Sequence, residues 1–459
     1  MTKQERKVAK KVEVDALEQI NRNAAGIDIG AEEVYVAVPP GRDAESVRTF
    51  PTFTADLQGM ADWLKACRIE SVAMESTGVY WIPVYDILEE RGFQVCLVNA
   101  RHLKNVSGRK TDVLDCQWIQ QLHTYGLLSA SFRPPEQIVA IRSLVRHREM
   151  LVQYRSAHIQ HMQKALTVMN VRLTNVLSDI SGVTGLKIIR AIVAGERSPQ
   201  KLAQFRNEKC AKSEAEIAKS LAGHYKPEQV FVLKQAVELY DFYDEQLKHC
   251  DLELEKLYRQ FEPPENPGTP PPAPRTAKRR KNQAHFDLAP ALYRMTGVDL
   301  TQIDGVDELT IQKVLSETGT DMSKWPTYKH FASWLHLCPN NQITGGKVKR
   351  SGVQPGQNRA SAALRVAAAS LTHSNSALGA YYRRMRARQG PPAAITSTAH
   401  KLARIIYTML KDRKPYHDLG VDHYEQQYRA RVLRNLNRQA NKLGFRLEPS
   451  TLLCTSDVS

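Results

Sequence analysis

The sequence predicts an α/β domain at the amino end, followed by long helices and a mainly helical carboxyl-terminal domain. Apolar stretches of strand length alternate with amphipathic ones before residue 125, which is typical of a mixed sheet with helices on its faces. From Ile138, apolar residues recur at spacings of three and four, and helical patterns continue over 288–419. A chain of 459 residues exceeds one ordinary core, so two or three domains are expected.

The composition indicates a polyanionic partner. The chain carries 64 Lys and Arg against 48 Asp and Glu, a formal charge of +16 with a pI near 9.4, and nucleic acid is the leading candidate. No run of 18 apolar residues and no signal peptide are present, so we expect a soluble, cytosolic protein without a membrane partner. The seven cysteines lack any Cys-x-x-Cys, which favours reduced, structural thiols over disulfides or a zinc ribbon.

The amino-terminal elements are predicted in the order β-β-β-α-β-α-β-α. The strands are predicted at 24–30, 34–38, 46–50, 71–75 and 94–99, and the helices at 55–67, 81–91 and from 109 onward.

Two strands carry acids where apolar residues would be expected. Asp28 lies inside the first strand and Glu75 ends the fourth. A carboxylate in a buried strand is costly unless it is paired or bound to metal. The plainer alternative is an acid satisfied by backbone donors at a strand end.

A further acid pair opens the last of these helices. Asp112 and Asp115 are three residues apart and therefore share one helix face. Carboxylates held this close repel each other unless a cation lies between them, which indicates a metal site. Acid pairs at this spacing also occur on solvated surfaces.

Three motifs carry a resemblance to a known family. They are Ile27-Asp28-Ile29-Gly30, Glu75-Ser76-Thr77-Gly78-Val79-Tyr80 and Arg109-Lys110-Thr111-Asp112-Val113-Leu114-Asp115. The order of these motifs along the chain resembles that in the ribonuclease-H fold of RuvC-like nucleases. Their residues are similar to the motifs of the DEDD-type insertion-sequence transposases, the bridge-RNA-guided DNA recombinases. The resemblance implies that Asp28, Glu75, Asp112 and Asp115 bind Mg²⁺ or Mn²⁺ against a phosphodiester. Arg109 and Lys110 are predicted to contact nucleic acid.

A long helix is predicted from Ile138. Ten of twelve positions between 138 and 176, at alternating spacings of three and four, are apolar. Such a seam requires a partner helix, in a coiled coil within the chain or between subunits, or else the core of a bundle. A second run at 233–261, interrupted by Asp244 and Asp251, could return antiparallel to the first. Basic residues along the first helix, Arg146 among them, could track a nucleic-acid backbone or be solvated.

Turns and a linker follow. Gly182-Val183 and Gly305-Val306 each precede a helical stretch, where backbone amides could hold a DNA phosphate or the turn could simply join helices. Residues 263–274 contain seven prolines and predict an extended spacer at a domain boundary. The basic stretch 275–281 is predicted to contact nucleic acid through Lys278, Arg279, Arg280 and Lys281.

The carboxyl-terminal domain contains Thr344-Gly345-Gly346-Lys347-Val348-Lys349-Arg350-Ser351-Gly352. A hydroxyl beside paired glycines and cations could form a phosphate-binding loop. The stretch resembles the second domain of the same family, in which a serine attacks DNA and becomes joined to a 5′ phosphate. Thr344 takes that position here, and its extra methyl group crowds the attacking oxygen. Ser351 is the alternative nucleophile, and Lys347, Lys349 and Arg350 are predicted to contact nucleic acid.

The resemblance implies a site-specific DNA recombinase that acts on donor and target DNA, is guided by a non-coding bridge RNA, and assembles as a dimer or tetramer in the bacterial cytosol. The alternatives are a RuvC-like, metal-dependent junction endonuclease that uses water, and a non-catalytic nucleic-acid-binding scaffold. The predicted divisions are a leader at 1–22, a RuvC-like domain at 23–135, a helical or coiled-coil region at 136–262, a linker at 263–282, a transposase domain at 283–420, and a basic helix with a tail at 421–459, whose function the sequence does not indicate.

Overall fold

The computed structural model describes residues 18–76, 78–99, 112–264, 270, 281–354, 356 and 358–448. For Asp112, Gln342 and Arg350 it describes the backbone alone. The chain divides into two compact units, Met1–Arg133 and Pro134–Ser459. The finer domain boundaries stay predictions.

The first unit contains a five-stranded mixed sheet in the order β3-β2-β1-β4-β5. Strand β2 is antiparallel to both β1 and β3, whereas β1, β4 and β5 run parallel. This agrees with the predicted α/β class. The strands are β1 (Ala24–Ile29), β2 (Glu33–Ala37), β3 (Val47–Pro51), β4 (Ser71–Glu75) and β5 (Gln94–Val98), and the helices are α1 (Thr54–Ala66), α2 (Trp81–Glu90) and α3 (Asp112–Thr124).

The two faces of this sheet bury different side chains, as the alternation of a strand requires. On one face, Ile27 and Met74 join a large apolar core with α1 and α2, to which Leu57 and Leu88 belong. On the other face, Ala73 and Val98 pack with Ile119 of α3. Helix α3 therefore covers the face on which Gly26 of β1 and Ala73 of β4 lie.

The second unit is built around two helices of 33 residues each, α4 (Glu136–Val168) and α8 (Pro227–Arg259). They pack antiparallel, because Arg148 pairs with Asp251 while the later Arg155 pairs with the earlier Asp244. The partner that the apolar seam requires is thus present in the same chain. Supercoiling of the pair stays a prediction.

Helix α4 is shorter than the helix that the apolar seam over 138–176 predicted. It ends at Val168, and Asn170 adopts a left-handed φ of 55°, a conformation that ends a helix. Residues 173–175 form a single 3₁₀ turn, which buries Leu173 in the same core as Ile188. The apolar positions at 169, 173 and 176 therefore belong to the turn after the helix.

A buried ionic network joins the helix pair to the chain that follows residue 281. Arg148 Nε donates to Asp251 Oδ1 over 2.5 Å, and the two side chains are only 7% and 1% exposed. His285 Nδ1 lies 2.7 Å from the other oxygen of Asp251, Oδ2. Arg148 Nη2 also donates to the carbonyl of Asn282, whose side-chain oxygen accepts from Arg155. Asp251 therefore connects both long helices to residues 282–285.

The described residues on both sides of the proline-rich stretch are held by this same unit. Pro264 packs so closely on Gly297, which has a φ of 73°, that a Cβ added there would lie 2.9 Å from the proline Cγ. On the other side, Lys281 Nζ donates to Asp179 Oδ2 and to Ser181 Oγ over 3.1 and 2.9 Å. The spacer conformation and the boundary predicted at 263–274 fall mostly outside the described residues.

The rest of the second unit is helical apart from one hairpin. The remaining helices are α5 (Val183–Val193), α6 (Pro199–Ala203), α7 (Glu214–Ser220), α9 (Leu288–Thr296), α10 (Glu308–Thr318), α11 (Tyr328–Trp334), α12 (Arg359–Ser370), α13 (Ala377–Gln389), α14 (Pro391–Asp412) and α15 (Gly420–Lys442), and the hairpin pairs β6 (Gln342–Thr344) with β7 (Lys347–Arg350). None of the described helices has the length and apolar character needed to cross a membrane. The six described cysteines are free thiols.

Replacing Asp251 with alanine should strongly destabilise the second unit. The change leaves the Arg148 guanidinium buried without its carboxylate, and breaking a buried pair costs about 3–5 kcal/mol. The measurement is the free energy of unfolding from urea denaturation followed by circular dichroism. Asp241→Ala on the same helix is the control, because its pair with Arg190 of α5 is exposed, at 46% for Asp241 and 51% for Arg190, and such pairs contribute little. Equal losses in both variants would contradict the assignment.

Candidate functional site

The candidate acidic site depends on a close approach between helix α3 and strand β1 at Gly26. A Cβ added at Gly26 would lie within 2.7 Å of Gln120 Cα and would overlap the backbone of Cys116 and Gln120. Any larger residue would therefore push the helix away from the sheet. Glycine within a strand often marks such a close backbone approach.

Asp28 and Glu75 lie on the face that α3 covers. Gly26 faces the helix, and side chains two residues apart share a face, so Asp28 does as well. Ala73 packs with Ile119 of α3, so Glu75 follows by the same rule. Because Ile27 of β1 is in register with Met74 of β4, the two acids are the next residues of adjacent parallel strands.

Asp115 reaches this same region from the first turn of α3. The next residue, Cys116, is completely buried, and burial raises the pKa of its thiol to about 12. The negative charge of Asp28 adds to the rise in pKa, and Asp115 contributes a smaller part. Both carboxylates therefore lie close enough to this thiol to act on it electrostatically.

The far end of α3 is fastened at the opposite ends of the strands. His123 hydrogen-bonds Ser71, the first residue of β4, and burial lowers the pKa of this histidine. The backbone amides of Ile20 and Asn21, which precede β1, donate to the carbonyl of Thr124 over 2.9 Å. Helix α3 thus runs antiparallel to β1, and its first residues lie at the strand ends that carry Asp28 and Glu75.

The donor chemistry at these strand ends suits Mg²⁺ or Mn²⁺, which prefer carboxylate oxygens. Three of the four predicted ligands, Asp28, Glu75 and Asp115, lie on one sheet face or on the helix over it. Among the described side chains, no group of three or more His, Cys, Asp or Glu is arranged to hold a metal ion. The described part of the helix begins at Asp112, the fourth predicted ligand, whose side chain lies outside the described residues.

The predicted nucleophile lies at the tip of a hairpin, where the sequence predicted a glycine-rich loop. Thr344 is the last residue of β6 and is in register with Lys347. The two residues between them, Gly345 and Gly346, have φ values of 57° and 75°, the pattern of a type I′ turn. Side chains directly opposite in a hairpin share a face, so the exposed Thr344 hydroxyl lies on the same face as the Lys347 ammonium.

Ser351, the alternative nucleophile, follows the hairpin. Its hydroxyl donates to Asn341 Oδ1 over 3.0 Å. The Gly352 carbonyl accepts from the amide of Asn340 over 2.6 Å, which closes the base of the hairpin. Ser351 is therefore engaged in holding the hairpin together.

Two family models match the chain. A model described as a transposase matches residues 25–171, which include all four predicted acids. A second, described as a transposase of the IS116/IS110/IS902 family, matches residues 299–383, which include Thr344 and Ser351. The chain belongs to the DEDD-type insertion-sequence transposases. Among curated proteins, none matches the chain.

In the transposase, the residues that we predict to contact nucleic acid differ in their exposure and in their bonding partners. Lys347 and Lys349 are exposed on the hairpin, and Lys281 is bonded to Asp179 and Ser181. Arg146 forms two hydrogen bonds of 2.9 and 2.8 Å with the carboxylate of Glu317. The other predicted contacts, Arg109, Lys110, Lys278, Arg279, Arg280 and the side chain of Arg350, lie outside the described residues.

The two Gly-Val turns do precede helices, as predicted. Gly182 is the residue before α5, and Gly305, with a φ of 78°, precedes α10. At α10, the carboxylate of Asp307 already accepts from the amide of Thr310 over 2.8 Å. The chain itself therefore supplies an anionic cap where a phosphate contact was considered.

Sequence reasoning missed Gly26 and Cys116 as parts of the acidic site. The signal for Gly26 was its place in an otherwise apolar strand two residues before Asp28. Cys116 follows Asp115 directly, but only the structure shows that its thiol is buried.

Gly26→Ala should destabilise the first unit and displace the start of α3, because the added methyl group overlaps helix backbone. The matched control is Gly59→Ala on the exposed side of α1, where a Cβ meets nothing within 4 Å. Alanine there should stabilise the helix by about 0.5–1 kcal/mol. The melting temperatures of both variants, measured by thermal unfolding, are compared with that of the wild type. A melting temperature in Gly26→Ala equal to or above that of the wild type would contradict the close approach.

Proposed function

We propose that this transposase cuts and rejoins DNA with a metal-bound acidic group in its first unit and the Thr344 hydroxyl in its second. One observation supports the proposal above all. Asp28 and Glu75 lie at the ends of adjacent strands, and Asp115 lies in the first turn of α3, which packs closely on β1 at Gly26. The family matches support DNA as the substrate. The proposal requires both groups to act on one phosphate, within one subunit or across two copies of the chain.

The acidic group would hold Mg²⁺ or Mn²⁺ through Asp28, Glu75, Asp112 and Asp115. When bound, the ion would neutralise the negative charge that develops on the phosphate. Asp28 and Glu75 stand on adjacent paired strands, which fixes their separation. Asp115 is carried by a helix fastened at its other end through His123 and Thr124. The acids are thus supported on rigid elements, which suits preorganised phosphoryl transfer.

Thr344 would act as the nucleophile. Its Oγ1 forms a bond to phosphorus as the bond from phosphorus to the 3′ oxygen breaks, and the 3′ oxygen takes up the proton that the hydroxyl releases. The product is a 5′ phosphate joined to the protein and a free 3′ hydroxyl. Lys347, on the same hairpin face, would attract the phosphate and offset its negative charge. The two left-handed glycines hold the tip in its tight turn.

Sequence specificity would come from a non-coding bridge RNA that pairs with donor and target DNA, as the family resemblance implies. The formal charge of +16 supports binding of such polyanions. Assembly into a dimer or tetramer would allow one copy to contribute the acids and another the hydroxyl.

The wild-type protein should be stabilised by Mg²⁺, whereas Asp28→Asn should not. A ligand that binds only the folded state stabilises it by about 2.7 kcal/mol at a concentration one hundred times its Kd. Without metal, the variant should melt at the same temperature as wild type or higher, because one of several mutually repelling charges is gone. Thermal unfolding and calorimetric titration with MgCl₂ measure both effects. The control Asp56→Asn removes a charge from α1 and should keep the response, and metal stabilisation retained in Asp28→Asn would reject the assignment.

Incubation with labelled DNA should give a covalent protein–DNA adduct that survives denaturing electrophoresis. Thr344→Ala should abolish the adduct, and Thr344→Ser should retain or increase it, because serine lacks the crowding methyl group. Ser351→Ala should retain it, and Asp28→Asn should lose it. An adduct that depends on Ser351 would move the nucleophile there. Cleaved ends without any adduct would favour a water-using junction endonuclease, and element movement unaffected by Asp28→Asn would favour a scaffold.

A further inference from the structure

Helix α15 carries a dense positive charge that the proposed chemistry does not use. From residue 426 to 447 the chain has six basic residues and no Asp or Glu. No residue of the helix is buried. The basic residues are Arg429, Arg431, Arg434, Arg438, Lys442 and Arg446.

The first half of α15 is fixed to the second unit by aromatic and ionic contacts. Arg384 of α13 pairs with Glu425, and its guanidinium carbon lies 3.4 Å from the centre of the Tyr428 ring. Tyr424 packs edge-on against Tyr381 at a centroid distance of 6.3 Å. These contacts determine the direction of the helix without involving its second half.

The place where α15 is attached is itself positive. Lys401 Nζ lies 3.9 Å from the centre of the Tyr381 ring. Burial lowers the pKa of this lysine, and the neighbouring charges of Arg404 and Arg431 lower it further. Cations therefore crowd together at the base of the helix, where an anion would relieve their repulsion.

The second half of α15 separates cations from apolar residues. Arg431, Arg434, Arg438 and Lys442 recur at spacings of three and four and therefore form one face. The apolar residues Leu433 and Leu436 lie on the opposite face, and Leu443 directly follows the helix. All four cations are exposed, and within the described chain no ion pair engages Arg434, Arg438 or Lys442. We call Arg431, Arg434, Arg438 and Lys442 the cationic face.

Asparagines lie along the two edges of the cationic face. At 100° per residue, Asn441 lies on one side of the cations and Asn435 on the other, and both are exposed. The face extends about 17 Å along the helix, which corresponds to roughly five base pairs. Arginine, lysine and asparagine are the side chains that contact phosphates and base edges in the major groove.

We propose that the cationic face of α15 docks in the major groove of duplex DNA, with its cations on the phosphates, as a binding element separate from both catalytic groups. Duplex DNA fits better than duplex RNA because the major groove of B-form DNA admits an α-helix, whereas that of A-form RNA is too narrow. A second copy of the chain would bring like charges together on this face. The inference rests on the proposed function in taking DNA as the ligand, but it does not depend on the acids or on Thr344.

The test uses the full-length protein and the triple variant R434Q/R438Q/K442Q. Binding to a fluorescent DNA duplex and to an RNA duplex is measured by anisotropy over a range of salt concentrations. The control K219Q/K226Q/K234Q removes the same charge from exposed lysines elsewhere in the unit. Circular dichroism confirms that both variants fold.

For DNA, the slope of log affinity against log salt should fall in magnitude by about 2 to 3 in the α15 variant, since each lost phosphate contact removes about 0.9. The control should keep the wild-type slope. An unchanged DNA slope overturns the proposal, and so does a change confined to RNA.

Two further measurements distinguish this proposal from the catalytic one. Thr344→Ala should keep the wild-type salt slope, because it removes no cation. The α15 variant should still form the covalent adduct at saturating DNA. If the salt slope is smaller in the α15 variant while the wild type forms no adduct, DNA docking is supported and the catalytic proposal is rejected.

Discussion

The contact between α3 and β1 at Gly26 is the constraint on which the acidic site depends. Without a side chain at residue 26, helix backbone and strand backbone lie against each other, so the first turn of the helix reaches the strand ends. Asp28 raises the pKa of the buried Cys116 thiol for this reason, whereas Asp115 does so as the preceding residue of the chain. A wider spacing would move Asp115 outward while Asp28 and Glu75 stayed on their strands. The absence of a side chain at residue 26 thus determines how closely the first turn of α3 approaches the strand ends that carry Asp28 and Glu75.

Much of the first unit could be predicted from the sequence because strand and helix periods are local signals. Apolar runs of strand length indicated the strands of this unit. The acids stood out because Asp28 lies inside a strand, Glu75 ends one, and Asp112 and Asp115 share one face of a helix. The order of the strands and the position of α3 depend on contacts between distant residues, which periodicity does not report. The hairpin at Thr344 is a similar case. Gly345-Gly346 signals a two-residue turn, but only the pairing of Thr344 with Lys347 shows that the two side chains share a face.

Charged residues were the hardest to interpret, because the sequence does not show which cations already have partners. Asp244 and Asp251 looked like interruptions of an apolar seam, yet they are the partners of Arg155 and Arg148. Arg146 seemed available for nucleic acid, and its guanidinium is bound to Glu317. The cations of the cationic face of α15, to which the sequence assigned no function, are exposed, and residues 426–447 around them contain no Asp or Glu. The distribution of acids across the fold thus decides which positive charges can act outside it.

Pro264 and Lys281 are both held against the same compact unit, the first on Gly297 and the second on Asp179 and Ser181. The described residues on the two sides of the sixteen residues between them are therefore both fixed within one compact unit. For a flexible loop whose two ends are fixed, doubling the number of residues adds only about 0.6 kcal/mol of closure entropy. A change in the number of residues between Pro264 and Lys281 should therefore cost the second unit little stability, as long as the contacts of Pro264 and Lys281 are kept.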